Sequence, residues 1–492
     1  MTVHLSIVMF APLAFALAGA LGPKRLAPVV ALIGTLVTLA YAVLMLFDFE
    51  SGRPGLQYVT DSEWIPELGI RYSLGVDGLS LWLVALTALL FTATAIWTLV
   101  RPMAKPGLWA FHMALAQSAI LGAFMAQDLA LFVGFFDLML VPFAFLMLGW
   151  GGPERRPATL KMVIYTLVGS LLMLAAAVAT GVLGGEGGTP NFAIAELARA
   201  PEDGGTQRLL FAAFALAFLI KMPAFLVQGW MPDTYRQMPL PALAVFSAVL
   251  SKVAAYGFLR VALPLYPDAA EDFQLAIMIL AVVGIIYGSA MAFTQTNLRL
   301  ILGYSSLAQL SFITLGVFAL NLEGQQGAIL QSINHGLVTV PFFYIVLLAA
   351  ERAGGSEDIN ALGGLAFRGP VIATLALIVA LATLAIPGSA NFVGEFFILL
   401  GAFKAELVLA VIAFTGVALA SVYVLRAYIR TFHNRRGSGV AEEGGASDAS
   451  WGDRLVLIPL VLAILAFGLY PQGALEAGEQ AGERHPEVAV IK

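Results

Sequence analysis

The chain has 492 residues, of which 60% are hydrophobic and 12% charged, with a net charge of −5 and a mean hydropathy of +0.89. A water-soluble fold cannot hide that much apolar surface, so the chain reads as an integral membrane protein with many spans. It contains no cysteine, which excludes disulfides and cysteine-ligated metal or iron–sulfur sites.

At about 20 apolar residues per crossing, the chain divides into fourteen predicted helices: 4–21, 28–47, 79–100, 109–126, 129–150, 161–184, 209–229, 240–263, 274–295, 300–319, 327–349, 370–402, 406–429 and 454–471. The first apolar stretch lacks a small-residue cleavage site and reads as a span left in place. No transit-peptide pattern precedes it, which points to a bacterial inner membrane or an organelle-encoded chain. Connections are short except near 48–76, 185–208, 350–369 and 430–453. The fold class expected is all-α and polytopic.

Loop charge orients the spans, because cytoplasmic loops carry the excess of Lys and Arg. One set of alternate loops holds Lys24, Arg25, Arg101, Lys105, Arg155, Arg156, Lys161, Arg236, Arg299, Arg352, Arg368, Arg426, Arg430, Arg435, Arg436 and Arg454. The other holds Arg53, Arg71, Arg199, Arg208, Lys404, Arg484 and Lys492, a ratio of 16 to 7. The first set is expected in the cytoplasm, which places both termini outside. Arg260, near the end of the eighth span, is expected to snorkel to the interface.

Among the ionisable groups inside predicted spans, five stand out: Asp137 in the fifth, Lys221 in the seventh, Lys252 in the eighth, His335 in the eleventh and Glu395 in the twelfth. Asp137 is the one charged residue in LALFVGFFDLMLVPFAFLMLGW (129–150), and a carboxylate at mid-bilayer costs about 2.5–3.5 kcal/mol on insertion scales. One such group is as easily a static buried pair. Five on successive helices suit a proton relay, because burial disfavours the charged form of acids and bases alike.

Two spans also carry backbone breakers. Pro223 follows Lys221 closely and removes the helical partner of the Leu219 carbonyl. Pro387, with Gly388 beside it, does the same to the Thr383 carbonyl. The twelfth segment is too long for one straight crossing. Both helices are therefore expected to be interrupted in mid-membrane, which is tolerated where the backbone is buried in protein or lines a hydrated cavity. They stand fourth in the groups of spans 4–8 and 9–13. An offset of five helices inverts the second group, so two inverted five-helix repeats are expected. The divisions are 1–108 (flanking helices), 109–265 (first repeat), 274–433 (second repeat) and 434–492 (loop, last helix and tail).

The ordered segments LGVDGLSLWLV (74–84), LKMVIYTLVGS (160–170), IKMPAFLVQGWMPD (220–233), LSKVAAYGFLR (250–260), ALPLYP (262–267), GYSSLAQLSF (303–312), NHGL (334–337) and IPGSANFVGEFFILLGAF (386–403) resemble the antiporter-like subunits of respiratory complex I. Among these, ALPLYP and PGSANFVGEF favour the M-type branch. The resemblance covers nearly the whole chain. It implies a proton-translocating subunit of an NADH:quinone oxidoreductase in which a helix-5 carboxylate pairs with a helix-7 lysine. A helix-8 lysine continues the path and a helix-12 acid connects to the exit. On this chain those positions fall on Asp137, Lys221, Lys252 and Glu395. Family histidines are replaced by Gln228, Tyr235 and Gln309, and the helix-5 residue is Asp where the family usually has Glu. The lost histidines motivate an alternative reading as a structural subunit with reduced pumping. Mrp-type cation/proton antiporters and membrane-bound hydrogenases share the fold and supply another.

The sequence shows no Gly-rich phosphate loop, dinucleotide fingerprint or metal-ligand spacing. No cofactor is expected in this chain. The resemblance assigns NADH, FMN, iron–sulfur clusters and quinone to partner subunits. The partners implied are other membrane subunits, especially neighbouring antiporter-like ones, with the lipid bilayer and protons, and no nucleic acid.

Overall fold

A computed structural model describes residues 4–51, 53, 55–185, 187–201, 204–440 and 448–476. Among these, twelve helices are long and apolar enough to cross a membrane, and two shorter apolar helices fill the remaining predicted positions. In chain order they are α1 (Leu5–Leu21), α2 (Ala27–Asp48), α3 (Gly78–Val100), α4 (Pro106–Met125), α5 (Leu129–Trp150), α6 (Arg155–Leu183), α7a (Gly204–Lys221), α8 (Leu240–Leu265), α9 (Pro267–Thr294), α10 (Leu298–Val317), α11 (Leu322–Arg352), α12a (Pro370–Thr383) with α12b (Ala390–Ala405), α13 (Leu407–His433) and α14 (Trp451–Leu469). A short helix, α7b (Met231–Gln237), follows α7a.

Burial sorts these rods. The apolar window of α10 is wholly buried, and those of α8 and α11 are 94% and 89% buried, against 33% for α2, α13 and α14. The polar residues on α8, α10 and α11 therefore face protein. In a bilayer such packing rests on close van der Waals fit rather than on expulsion of water, and small residues permit it. At the α11–α12b contact, a Cβ on Gly401 would strike the backbone of Gly324, and one on Gly327 would strike the backbone of Ile398. The two backbones thus approach as closely as glycine allows.

The stretch near 48–76, read from sequence as a long connection, folds into an antiparallel hairpin of β1 (Gln57–Ile65) and β2 (Ile70–Val76). It is an addition to the all-α expectation. Its turn closes at Gly69, whose φ of +68° and contact with the Pro190 carbonyl suit glycine alone. Across the strands Arg71 and Asp61 pair at 2.9 Å, and the Arg71 hydrogen bond holds the Asp61 carboxyl below its ordinary range. The Asp128 side chain caps α5 by accepting from Leu131 N at 3.0 Å and also accepts from Arg71 N at 3.0 Å. One carboxylate thus starts a helix and anchors the hairpin.

Both predicted interruptions are present. α7a ends at Lys221, and α12 is open between Thr383 and Ala390. Part of the predicted loop at 430–453, residues 441–447, and the tail beyond 476 lie outside the described residues.

Candidate functional site

Asp137 lies half-buried near the end of the first part of α5, which is interrupted at Met139. Pro142 explains the interruption: it has no N–H for the carbonyl of Leu138 and its ring crowds that turn. One residue before Asp137, the Phe136 carbonyl accepts from the Lys221 ammonium at 2.8 Å. The same Nζ lies 3.9 Å from the centre of the Phe136 ring, an arrangement worth about 2 kcal/mol when desolvated. Lys221 is also the last residue of α7a, where the negative end of the helix dipole favours a cation.

One expectation is corrected here. Asp137 and Lys221 were expected to pair, but they make no contact within 4.0 Å. Asp137 lies beside Ser170 and feels Lys221 through space, while its Oδ1 finds no hydrogen-bond partner in the protein. The α5 break and the Phe136 carbonyl take up the ammonium instead. The Leu219 carbonyl, as expected, lacks its helical partner at Pro223. It accepts from Ala224 N at 3.0 Å, one residue further on, and Trp230 Nε1 donates to the Ile220 carbonyl at 3.1 Å. The break is thus re-satisfied locally, with Leu226 held at φ +79°.

Lys252 sits between two π-helical turns of α8, Phe246–Leu250 and Phe258–Ala262. Such turns widen a helix and recur at functional sites. Its Nζ donates to the Ser247 carbonyl at 3.0 Å and to Ser251 Oγ at 3.3 Å, and lies 2.7 Å from His335 Nδ1, which accepts when the lysine is charged. With Nδ1 accepting, a neutral His335 carries its proton on Nε2, which faces Thr339 Oγ1 at 3.4 Å. Tyr235 donates to Ser247 Oγ at 2.8 Å, and Ser247 meets Ser306 at 3.4 Å. Beside His335, Thr339, Ser305 and Ser306 line a cavity of about 20 Å³, room for roughly one water. Ser305 in turn meets the Tyr423 hydroxyl at 2.9 Å.

Glu395, buried on α12b, accepts from Gln309 Nε2 at 2.8 Å, and Gln331 donates to Gln309 Oε1 at 2.6 Å. Gly394 lets Gln331 approach, since a Cβ there would collide with it. Pro387 and Gly388 (φ +87°) lie in the open turn before α12b. Asn334 Nδ2 donates to the Ala390 carbonyl at 2.5 Å, which ties the start of α12b to the residue next to His335.

The five predicted residues thus fall into three places: Asp137 near Lys221, Lys252 bonded to His335, and Glu395 held by Gln309, which Gln331 holds in turn. Aromatic rings surround the first place and the approach to the second, with Phe136 5.5 Å from Phe218, Phe218 5.0 Å from Phe258 and Trp230 5.9 Å from Phe246. Sequence reasoning passed over Ser247, Ser306, Thr339, Asn334 and Gln331, whose residue types are ordinary in buried helices. It also misplaced Arg260, which does not snorkel. Arg260 pairs with Asp77 at 3.1 Å and donates to Gln127 Oε1 at 2.7 Å. A buried Asp at the start of a helix was the signal for that partner. No group of three or more His, Asp or Glu suited to a metal occurs among the described residues.

Residues 126–420 match the family described as NADH:quinone oxidoreductase/Mrp antiporter, TM. The chain is 37% identical to NADH-quinone oxidoreductase subunit M of Rhodobacter capsulatus, over 95% of this chain and 93% of that one. Its fold matches a chain of respiratory complex I from Thermus thermophilus with a TM-score of 0.89 and 29% identity, covering 99% of this chain and 100% of that one. A chain of the Mrp complex from Dietzia sp. shares the fold at a TM-score of 0.84, with 22% identity and full coverage of both. The interrupted α7 and α12, the buried lysines and these likenesses agree, and the chain belongs to the NADH:quinone oxidoreductase/Mrp antiporter membrane family, in its subunit M branch.

Proposed function

We propose that this chain is a proton-translocating membrane subunit of an NADH:quinone oxidoreductase, moving protons across the membrane while redox chemistry proceeds in partner subunits. The observation that carries the reading is the hydrogen bond between two buried bases, Lys252 Nζ and His335 Nδ1, at 2.7 Å. Two bases in such contact hold one shared proton more readily than two separate charges. An added charge nearby drives the proton onward. Asp137 acts on Lys221 through space: an approaching carboxylate favours the ammonium, and a retreating one lets the proton leave. The proton passes from Lys221 to Lys252 and His335, then by way of the Ser305–Ser306 cavity toward Glu395. The Phe136 ring against Lys221, with Phe218 packed beside it, makes the first transfer the gated one, since it needs water that enters only on rearrangement.

In this reading the chain performs no redox catalysis and holds no cofactor; NADH, FMN, iron–sulfur clusters and quinone belong to its partners. The groups 109–265 and 274–433 act as inverted repeats, with Pro223 and the Pro387–Gly388 turn as their matching breaks. The chain lies in a bacterial inner membrane with both termini outside. An Mrp-type antiporter is the second reading, and the 22% identity with the Mrp chain supports the fold alone.

The test uses a tagged chain purified with its partners. The proposal expects subunits for NADH oxidation and quinone reduction to accompany it. Lys221→Ala is expected to assemble normally and to lower NADH-driven proton uptake by inverted vesicles. Unchanged uptake at normal assembly would remove Lys221 from the path.

A further inference from the structure

A second cavity lies apart from the central residues, among α2, α3 and α4. It offers about 40 Å³ to the centres of water-sized molecules, enough for roughly three waters at about 10–15 Å³ each. Its half-buried rim includes Pro28, Thr98 and Pro106 at helix ends and Met103 in the loop between α3 and α4, on the side where the adjoining loops carry Lys24, Arg25, Arg101 and Lys105. Its deep end is set by Thr35, Phe91 and Gln117. These lie eight, nine and eleven residues from the corresponding helix ends at Ala27, Val100 and Pro106. At 1.5 Å per residue that is about 12–17 Å, near the middle of a hydrocarbon layer about 30 Å thick.

Two polar side chains of the lining, one deep and one nearer the rim, are out of place in a dry pocket. Gln117 is wholly buried, and neither its Oε1 nor its Nε2 has a partner in the protein. Trp109 Nε1, also buried, has none. The hydroxyls nearby are already committed: Thr35 to the Leu32 carbonyl, Thr94 to that of Leu90 and Thr98 to that of Ala95. In a membrane an unpaired amide costs several kcal/mol, and leucine would fill the same space without that cost. The occupant must both donate and accept, because Gln117 presents a carbonyl and an amino group while Trp109 presents a donor. A lipid ester only accepts.

We propose that this cavity is a hydrated cul-de-sac in which a short file of water enters from the basic face and ends on Gln117. Thr94 forms part of its wall and accepts from the Tyr344 hydroxyl at 2.7 Å. The cavity wall is thus linked by one hydrogen bond to α11, the helix that carries His335. The inference stands whether or not the chain pumps protons.

Hydroxyl-radical footprinting by radiolysis of the intact complex, read by mass spectrometry, tests it. Radicals form from water in place, so side chains beside bound water oxidise fastest. Met113 lines the cavity, whereas Met173 and Met147 are wholly buried and do not line it. The expected result is several-fold faster oxidation of Met113 and Trp109 than of Met173 and Met147. Gln117→Leu is expected to slow Met113 to the level of Met173, and Gln117→Asn, which keeps the amide, to preserve it. Equal rates for Met113 and Met173 in the unaltered complex would overturn the proposal, whatever the variants do. So would an unchanged Met113 rate in an assembled Gln117→Leu complex, or a lipid acyl chain found in the cavity.

Discussion

Replacing His335 by leucine strikes the contact on which the central cluster turns. The Lys252 ammonium has three N–H donors and three acceptors, of which His335 Nδ1, at 2.7 Å, is the nearest. Lys252 is wholly buried, so water does not readily replace a lost partner. A hydrogen bond to a charged group contributes about 1.5–3 kcal/mol. Its removal changes the equilibrium population of the charged lysine by roughly 10- to 150-fold, at about 1.4 kcal/mol per tenfold. The assay is NADH-driven proton uptake by inverted vesicles, matched for the amount of assembled complex, and His335→Leu is expected to lower it. His335→Gln separates two roles, since glutamine supplies an acceptor but does not titrate. If His335 passes the proton on, the Gln variant stays impaired; recovery would make His335 a positioning residue for Lys252. Uptake at the unaltered level in His335→Leu, with normal assembly, would refute the reasoning.

Asp137→Glu keeps the charge and is expected to pump, whereas Asp137→Asn is expected to assemble but pump poorly; full pumping by the Asn variant would sink the electrostatic role. Failure of both Asp137→Asn and Asp137→Leu to assemble, seen on native gels, would favour a purely structural residue. Arg260→Leu strands the buried Asp77 carboxylate at a cost of about 3–5 kcal/mol, so less assembled complex is expected in membranes; equal amounts would mean that the pair contributes little. Gln309→His restores a titratable group beside Glu395 and is expected to raise proton uptake at constant complex content, if the absent family histidines limit it; a lower rate would show that the amide's bond to Glu395 matters more. Ser438→Cys, in a chain without native cysteine, is expected to be labelled by an impermeant thiol reagent from the cytoplasmic face; labelling from the outer face alone would overturn the orientation.

Much of the architecture was legible in the amino-acid order because the relevant physics acts along one chain. Span length follows from bilayer thickness, and the interruptions near Pro223 and Pro387 from a missing N–H. The five intramembrane ionisable groups announce themselves by their cost in lipid. What they touch depends on the rotation and relative height of neighbouring rods, which close packing at positions such as Gly327 and Gly401 fixes. The hairpin at 57–76 is short and only partly apolar, so its pattern did not stand out from a loop. Arg260 illustrates the same limit, since its partner Asp77 lies 183 positions away in the sequence. Lys221 bonds to the Phe136 carbonyl rather than to Asp137 because α5 breaks just where that carbonyl can turn toward it. The sequence therefore determined which groups are buried in the membrane. The tertiary structure decided which of them meet, because hydrogen bonds form over about 3 Å and only packed backbones set positions that finely.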